Sequence, residues 1–589
     1  MVHFPTFDRL LKFLAAALLI AGWLLIAGSH CVAEDQAASR QLWLYYPTNL
    51  LVDSNVDQLE TIFRRAAKVG YSHVLIGDSK FANLDRMPKE YFRNVDRVKR
   101  IAGELHLQLV PSVFPMGWSN SLLYHDPNLA EGLPVRDQLF VVKDGEARIV
   151  ADPPVSFPQG NFADLKHWSW KDDLVVADGP AARMSNLNGH VGRVVQSLKV
   201  SPFRQYRISV RIKTKDFHGT PEVKVLANDR ALNYNDLGIK PTQDWTTHWT
   251  VFNSLDNREV GIYFGCWDGK SGSLWFSDAH IEEVGLLNVL RRPGAPLVVR
   301  RDAGFSVAPA PLVEGTDFEP VADPHLGNDP YNGEYNLSHE PPTIHTKLSD
   351  GTRLRVSYYH PMIIYGGSVM IALSEPKTME LLRDQARRVH EAFGAKGYFM
   401  EHDEMRIFNW DAASERRHLD AGPLLAAHVK ACIKILRDVN PGGDIYAWSD
   451  MYDPHHNAVK NYYLVKGSIV GSWEGLDREV IIADWNFEHR DESLKWFADR
   501  GHRLMIAGYY DAPLDDLRAW LDSAVKVPSA QAVMYTTWQN NFADIEKFAG
   551  REGASLVGKT HDGTLNQGGY RLEATGTKNG ELRCRICGF

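Results

Sequence analysis

Short apolar runs alternating with amphipathic helical segments restrict the fold of this chain more than any other feature. Three apolar runs near the amino end, at 41–46, 73–76 and 107–114, are separated by segments whose apolar residues recur with the helical period. Strands joined by helices in this way form parallel sheets. The alternation stops near Pro154 and resumes after Pro376 with five further apolar runs, at 398–400, 445–448, 481–483, 504–507 and 532–536.

Eight such strands are the number that closes a barrel. The sequence therefore predicts an α/β fold, a TIM (β/α)8-like barrel that is interrupted after its third strand. Residues 40–153 form its first part and residues 351–550 its second part, which carries the catalytic strand ends. Two apolar runs of the second part, at 354–359 and 369–373, are also predicted to be strands.

The interrupting segment, 154–284, lacks helical periodicity and contains short alternating runs between turn residues, which is typical of a β-sandwich. Its cues are Gly160-Asn161-Phe162, Trp168, the strand that begins at Tyr206, the Asp244-Trp245 turn and Trp275-Phe276-Ser277-Asp278. In these features the segment resembles a jelly-roll carbohydrate-binding module. Residues 285–350, rich in Pro, Gly, Asp and Asn, are predicted to be a return connection.

The two ends of the chain have a different character. Arg9 and Lys12 precede an apolar run at 13–28 and the small-x-small pattern Cys31-Val32-Ala33, which predicts a signal peptide over residues 1–33. We therefore expect a secreted or periplasmic protein, with an uncleaved anchor as the alternative. Residues 551–589 are polar and Gly-rich and are predicted to be a loosely ordered tail, in which Cys584 and Cys587 lack the second pair that a zinc site needs.

Composition excludes some partners. The formal net charge of −8 gives no reason to expect nucleic acid or an anionic membrane as a partner. Only Cys266 and Cys432 lie in the predicted globular body, so a disulfide framework is not expected to stabilise it.

The most informative site candidates follow the strand at 398–400, where an apolar run ends in three acidic residues and a histidine, Glu401, His402, Asp403 and Glu404. Neighbouring carboxylates raise each other's proton affinity, so one of them can serve as an acid near neutral pH. Asp403 and Glu404 are the candidate catalytic pair for cleaving glycosidic bonds, with an oligo- or polysaccharide as substrate. Other strand ends add aromatic and polar residues that suit sugar recognition; the candidate substrate-binding residues are His402, Arg406, Trp448, Asp450, Trp473, Asp484, Trp485, Tyr510 and Trp538.

The Asp403-Glu404 pair at the end of the fourth strand, followed by Trp-rich strand ends, resembles family 20 glycoside hydrolases, the β-N-acetylhexosaminidases. The family usually has two glycines before the pair, where this chain has Glu401 and His402. The resemblance implies that Glu404 is the general acid and that Asp403 orients the substrate's acetamido group as the nucleophile. It also implies that Tyr510 holds the acetamido oxygen and that Trp448 and Trp538 line the walls of the pocket. Neither a cofactor nor a metal is predicted.

Three alternatives remain open. A substrate without an acetamido group would need Asp450 or Asp484 as the second carboxylate. A metal-dependent hydrolase could use His402, Asp403, Glu404, His455 and His456, which are suitable ligand types for zinc or iron. The chain could also be a non-catalytic glycan-binding protein with a degenerate barrel.

Overall fold

The computed structural model describes residues 40–302 and 309–556. The predicted signal peptide and the paired cysteines of the tail lie outside the described residues. Among the described residues, no helix is long and apolar enough to cross a membrane.

The chain begins with the predicted alternation of strands and helices. Its elements are β1 (Gln41–Pro47), α1 (Asp53–Lys68), β2 (Tyr71–Gly77), α2 (Lys89–Glu104) and β3 (Gln108–Val113). The three strands pair in parallel. Helix α1 forms because its apolar residues recur every three or four positions, so that Val56, Leu59, Phe63 and Ala66 are all buried against the sheet.

After β3 the chain leaves the parallel pattern and builds antiparallel sheets. The first elements are α3 (Asn120–Leu123), β4 (Leu133–Lys143) and β5 (Glu146–Ile149). The next ten strands are β6 (Trp170–Lys171), β7 (Val175–Ala177), β8 (Ala182–Ser185), β9 (Gly192–Lys199), β10 (Gln205–His218), β11 (Pro221–Ala227), β12 (Arg230–Ala231), β13 (Gln243–Asn253), β14 (Glu259–Cys266) and β15 (Ser271–Val284). They form two five-stranded sheets, ordered β13-β10-β15-β8-β7 and β12-β11-β14-β9-β6. These two sheets share one apolar core and are called the sandwich below.

A third antiparallel sheet was not anticipated from the sequence. Strands β16 (Val298–Arg301), β17 (Ile344–His345) and β18 (Arg353–His360) join β4 and β5 in the order β16-β18-β4-β5-β17. The run at 354–359, assigned above to the second barrel part, therefore lies in this sheet instead. Its alternate residues Leu354, Val356 and Tyr358 are fully buried in the core of that sheet, which explains the strand-like pattern.

The remaining elements complete the barrel. They are α4 (Pro376–Phe393), β19 (Gly397–Met400), α5 (Ala412–Glu415), α6 (Ala421–Val439), β20 (Asp444–Trp448), β21 (Ile481–Asp484), α7 (Arg490–Asp499), β22 (Leu504–Ile506), α8 (Leu514–Ala524), β23 (Ala530–Tyr535) and α9 (Ile545–Leu556). The closed barrel runs β1-β2-β3-β19-β20-β21-β22-β23, and β23 pairs in parallel with β1. In chain order, the three antiparallel sheets lie between β3 and β19.

The fold thus is an α/β barrel accompanied by sandwich-like antiparallel sheets, as the sequence predicts at this level. Two local predictions differ. The run at 369–373 is not a strand: it is buried by packing on the barrel rather than by pairing in a sheet. Helix α9 continues to Leu556, so the first residues of the predicted tail are helical.

Large side chains fill the inside of the barrel. Trp43, Phe399, Tyr446, Met505 and Met534 are among the buried residues of this inner core. A filled interior leaves the carboxyl ends of the strands as the place where a ligand can be bound.

Candidate active site

A cavity of about 1940 Å³ opens at the carboxyl ends of the barrel strands. Residues at or just after strand ends line it, and they come from every strand of the barrel: Tyr45, Asp78, Ser112, Glu401, Asp403, Glu404, Trp448, Trp485, Tyr510, Asp511 and Trp538. Of the residues predicted from the sequence, Asp403, Glu404, Trp448, Trp485, Tyr510 and Trp538 lie in this cavity. The barrel therefore brings together residues that are far apart in the sequence.

The backbone of the acidic segment is held in place by its neighbours. The N–H of Glu401 donates to the carbonyl oxygen of Val113 (2.9 Å), and its own carbonyl accepts from the N–H of Met116 (2.8 Å). Gly117 packs so closely that a Cβ there would lie 1.9 Å from the carbonyl oxygen of Asp403. Glu404 itself has a left-handed φ of 49°, a backbone conformation that is uncommon for residues other than glycine.

Three carboxyl groups, those of Glu401, Asp403 and Glu404, line one wall of the cavity, and each is harder to ionise than in water. Burial raises the pKa of Glu401 to about 7. The pKa of Asp403 lies well above its usual value because of burial and then the negative charges of Asp450, Glu401 and Glu404. Burial also raises the pKa of Glu404, and the positive charge of Arg406 opposes this. The group can therefore carry protons near neutral pH.

Arg406, predicted to bind substrate, does not line the cavity and instead pairs with Glu404 of this wall. Its guanidinium lies 2.6 Å from a carboxylate oxygen of Glu404, and only 6% of its side chain is exposed. It also lies over the rings of Trp118, Tyr365 and Tyr463 at 5.1 to 5.6 Å from their centroids. Arg406 is thus fixed by stacking and favours the ionised form of Glu404.

Aromatic rings form another part of the cavity lining. Tyr510 stacks on Trp538 with centroids 6.0 Å apart and an interplanar angle of 19°. The Trp485 ring meets Tyr510 edge-on at 5.5 Å, and Trp448 lies 6.0 Å from Trp538. The Tyr510 hydroxyl is buried and has no hydrogen-bond partner within the described protein. A sugar ring could stack on these faces and accept or donate a bond at that hydroxyl.

Asp450 and Asp484, both predicted to touch substrate, are fully buried and do not line the cavity. Oδ2 of Asp450 accepts bonds from the backbone N–H of Glu404 (2.8 Å) and from Asn457 (2.9 Å). Oδ1 of Asp484 accepts from Ser449 (3.3 Å) and from the backbone of Asn486 (3.2 Å). In this structure both carboxyls support the strand ends rather than face the cavity.

Trp473 does not line the cavity either. It lies in a short 3₁₀ turn and packs edge-on against Trp496 of α7, with centroids 5.2 Å apart. Its predicted role in binding rested on its residue type, and an aromatic residue of that kind also packs well beside a helix.

His402 points into the protein rather than into the cavity. It is 1% exposed, and neither ring nitrogen has a hydrogen-bond partner among the described residues. With His428 and Cys432 of α6 it forms a buried group whose potential ligand atoms all lie within 4.8 Å of one another. These three are residue types that can bind zinc. The metal alternative raised above, which combines His402 with Asp403, Glu404, His455 and His456, does not correspond to this group.

Glu401 and Tyr45 line the cavity and Trp118 contacts Arg406, although none of the three is among the site residues predicted from the sequence. Glu401 carried a signal that could have found it, since it directly follows β19 and so stands at the mouth of the barrel. Trp118 gave no such signal, because it enters the site from the loop after β3 and meets Arg406 only in the folded protein.

No protein-family model matches this chain, and no curated protein matches it. Among solved structures, a rhamnosidase from Novosphingobium sp. PP1Y is 9% identical over 88% of this chain and 59% of its own, with a TM-score of 0.33. A family GH18 chitinase from Chromobacterium violaceum is 13% identical over 31% of this chain and 61% of its own (TM-score 0.22). A structure described as CBM4 is 25% identical over 19% of this chain and 77% of its own (TM-score 0.16). All three TM-scores are below 0.5, so the function is inferred below from the site itself.

Proposed function

We propose that this protein is a glycoside hydrolase that cleaves glycosidic bonds at the mouth of its barrel. The observation that carries the proposal is the wall formed by Glu401, Asp403 and Glu404, three carboxyls with raised pKa values that line the same cavity as several aromatic rings. Glycosidic cleavage needs one protonated carboxyl beside the leaving oxygen and one ionised carboxyl beside the sugar ring. Aromatic faces supply the stacking surface for that ring.

The environment of each carboxyl suggests its role. Glu401 has a pKa of about 7 and no described ion pair, which suits a proton donor near neutral pH. Glu404 is paired with Arg406 at 2.6 Å, which suits the ionised partner, whether it acts on the sugar directly or through a water molecule. Asp403 is close enough to both for their charges to raise its pKa, and it would orient the substrate.

The resemblance to family 20 implies a different assignment, with Glu404 as the acid and Asp403 holding an acetamido group. Leaving-group dependence distinguishes the two assignments. Loss of the acid slows substrates with poor leaving groups more than activated aryl glycosides, because the activated ones need less protonation. The Gln variant at position 401 or 404 that shows this selectivity identifies the acid.

The basic test is a panel of aryl glycosides of hexoses, deoxyhexoses and N-acetylhexosamines, with and without a chelator. Turnover that resists the chelator and is lost in Glu404→Gln supports the proposal. Loss of turnover on chelation supports a metal enzyme, and binding without turnover supports a glycan-binding protein. A cyclic thiazoline that inhibits the wild type would support the acetamido mechanism, since it resembles the intermediate of that mechanism.

We also propose that the protein acts outside the cytoplasm. The support is the sequence pattern at residues 1–33. Amino-terminal sequencing of the protein recovered from the extracytoplasmic fraction tests this, and a mature chain that begins after Ala33 is the expected result. Retention of the full leader in the membrane fraction would instead indicate an anchor.

A further inference from the structure

The sandwich reaches the catalytic wall itself. Tyr234, in the loop after β12, lies 4.7 Å from Tyr463 and 5.9 Å from Tyr365, measured between ring centroids. Those two rings are the ones over which Arg406 lies, and Arg406 contacts Glu404. Two residues, a tyrosine and Arg406, therefore separate Tyr234 from a proposed catalytic carboxylate.

Polar contacts fix the sandwich in this position. The side chain of Arg230 donates to the carbonyl oxygens of Tyr463 (2.7 Å) and Val465 (3.2 Å). Asp236 accepts from the backbone N–H of Gly366 at 3.0 Å. Tyr463 and Val465 lie in the loop between β20 and β21, whereas Gly366 lies in the segment between β18 and α4. Bonds to two separate segments outside the sandwich hold it in one orientation.

The cavity at the barrel mouth continues along the sandwich. Its lining includes Tyr234, Asn235, Asp236 and Trp249 of the sandwich together with the three carboxyls of the barrel. A volume of about 1940 Å³ exceeds the roughly 300–1,000 Å³ of ordinary small-ligand pockets. Two aromatic rings beside amide and carboxylate groups offer further stacking and hydrogen-bonding positions for a polyhydroxylated chain.

We propose that the sandwich forms additional sugar-binding positions of the active site, so that the substrate is a glycan chain of several units that extends from the carboxyl wall to Tyr234 and Trp249. This inference rests on the proposed function, because it takes the occupant of the carboxyl wall to be a sugar. The sandwich would then be part of the cleavage site. A separate jelly-roll binding module, by contrast, would bind the glycan at a distance from that site.

The test compares Tyr234→Ala and Trp249→Ala with Trp170→Ala. Trp170 is an aromatic residue of the same sandwich, 47% exposed, and does not line the cavity. Each protein is assayed on the aryl monosaccharide that the wild type turns over best and on oligosaccharides of increasing length of the same sugar. Melting temperatures of all variants are measured, and Tyr234→Phe, which keeps the ring, accompanies Tyr234→Ala.

We expect kcat/KM of the wild type to rise with chain length. In Tyr234→Ala and Trp249→Ala, kcat/KM on the longer chains should fall about tenfold more than on the aryl monosaccharide, the size of effect that one lost ring contact gives. Tyr234→Phe should retain most of the preference, and Trp170→Ala should retain all of it. Equal losses on long and short substrates, or no dependence on chain length, would overturn the inference and leave the proposed hydrolase intact.

If the wild type turns over no glycoside, the proposed function fails, and the inference is then tested by binding. Wild type, Tyr234→Ala and Trp170→Ala are applied to an immobilised glycan array. Binding that is lost only in Tyr234→Ala supports the sugar positions on the sandwich. The absence of binding, or equal binding by all three proteins, overturns them.

Discussion

The backbone N–H of Glu404 donates a 2.8 Å hydrogen bond to Oδ2 of Asp450. The two residues follow neighbouring strands of the barrel, β19 and β20, so this bond joins the ends of two paired strands. It holds Glu404 in its left-handed conformation, and Asp450 does so from a fully buried position. A proposed catalytic residue is thus oriented by a carboxyl that does not line the cavity.

The pKa of Glu401 predicts the alkaline side of the pH profile. A proton donor with a pKa of about 7 loses its proton as the pH rises through that value, so kcat/KM should fall above about pH 7. In Glu401→Gln the fall of kcat/KM above about pH 7 should disappear. In the same variant, kcat should be lower by about 10²–10⁴-fold on substrates with poor leaving groups. Steady-state rates across the pH range check both points. If kcat/KM of the variant still falls above about pH 7, another group is the acid.

Arg406 and Glu404 should behave as one unit. Arg406→Gln leaves a buried carboxyl without its cation, so the ionised form of Glu404 becomes harder to keep and turnover should fall. The double variant with Glu404→Gln should be about as slow as Glu404→Gln alone, because both changes remove the same function. If the fold-losses in turnover of the two single variants multiply in the double variant, the two residues act separately. Arg500→Gln, which removes an arginine stacked on Trp496 outside the cavity, is the control.

Gly117 should be required for activity although it bears no side chain. A Cβ at this position would lie 1.9 Å from the carbonyl oxygen of Asp403, so Gly117→Ala must displace the acidic segment. A shift of about 1 Å at such a place can cost about 100-fold in rate, and we expect a loss of at least that size in kcat/KM. The matched control is Gly103→Ala near the end of α2, where a Cβ meets nothing within 4 Å. That change should keep full activity and add about 0.5–1 kcal/mol of stability.

Asp403 should destabilise the folded protein at neutral pH. Its folded-state pKa is well above the unfolded value, so its contribution to the free energy of unfolding is complete below about pH 4 and is lost as the pH rises through the folded pKa. Asp403→Asn lacks this dependence. The unfolding free energy of the variant minus that of the wild type should therefore increase between about pH 4 and pH 8, while activity falls. Urea titrations measure this, with Asp499→Asn, at an exposed ion pair on α7, as the control. If the difference in unfolding free energy does not change with pH, the pKa of Asp403 is not raised in the folded protein.

The local pattern of the sequence was sufficient to predict the barrel. Each of the eight barrel strands is an apolar run next to an amphipathic helix or a strand-end loop, and period and length are properties of neighbouring residues. The placement of Asp403 and Glu404 followed from the same rule, because a residue that ends a barrel strand stands at the mouth. The third antiparallel sheet escaped this reasoning, since β18 pairs with β4, a strand more than 200 residues earlier.

What the sequence determined by itself is therefore the set of strands, their alternation with helices and the edge at which the proposed catalytic side chains gather. The tertiary structure decided which strand-end carboxyls face the cavity: Glu401 does, whereas Asp450 is turned inward to hold a backbone N–H. It also decided that Tyr234 of the sandwich lies beside Tyr463 of the barrel. Local periodicity fixes only the face on which a side chain lies. Contacts between distant segments depend on how loops close and how sheets dock, which is settled only when the whole chain packs.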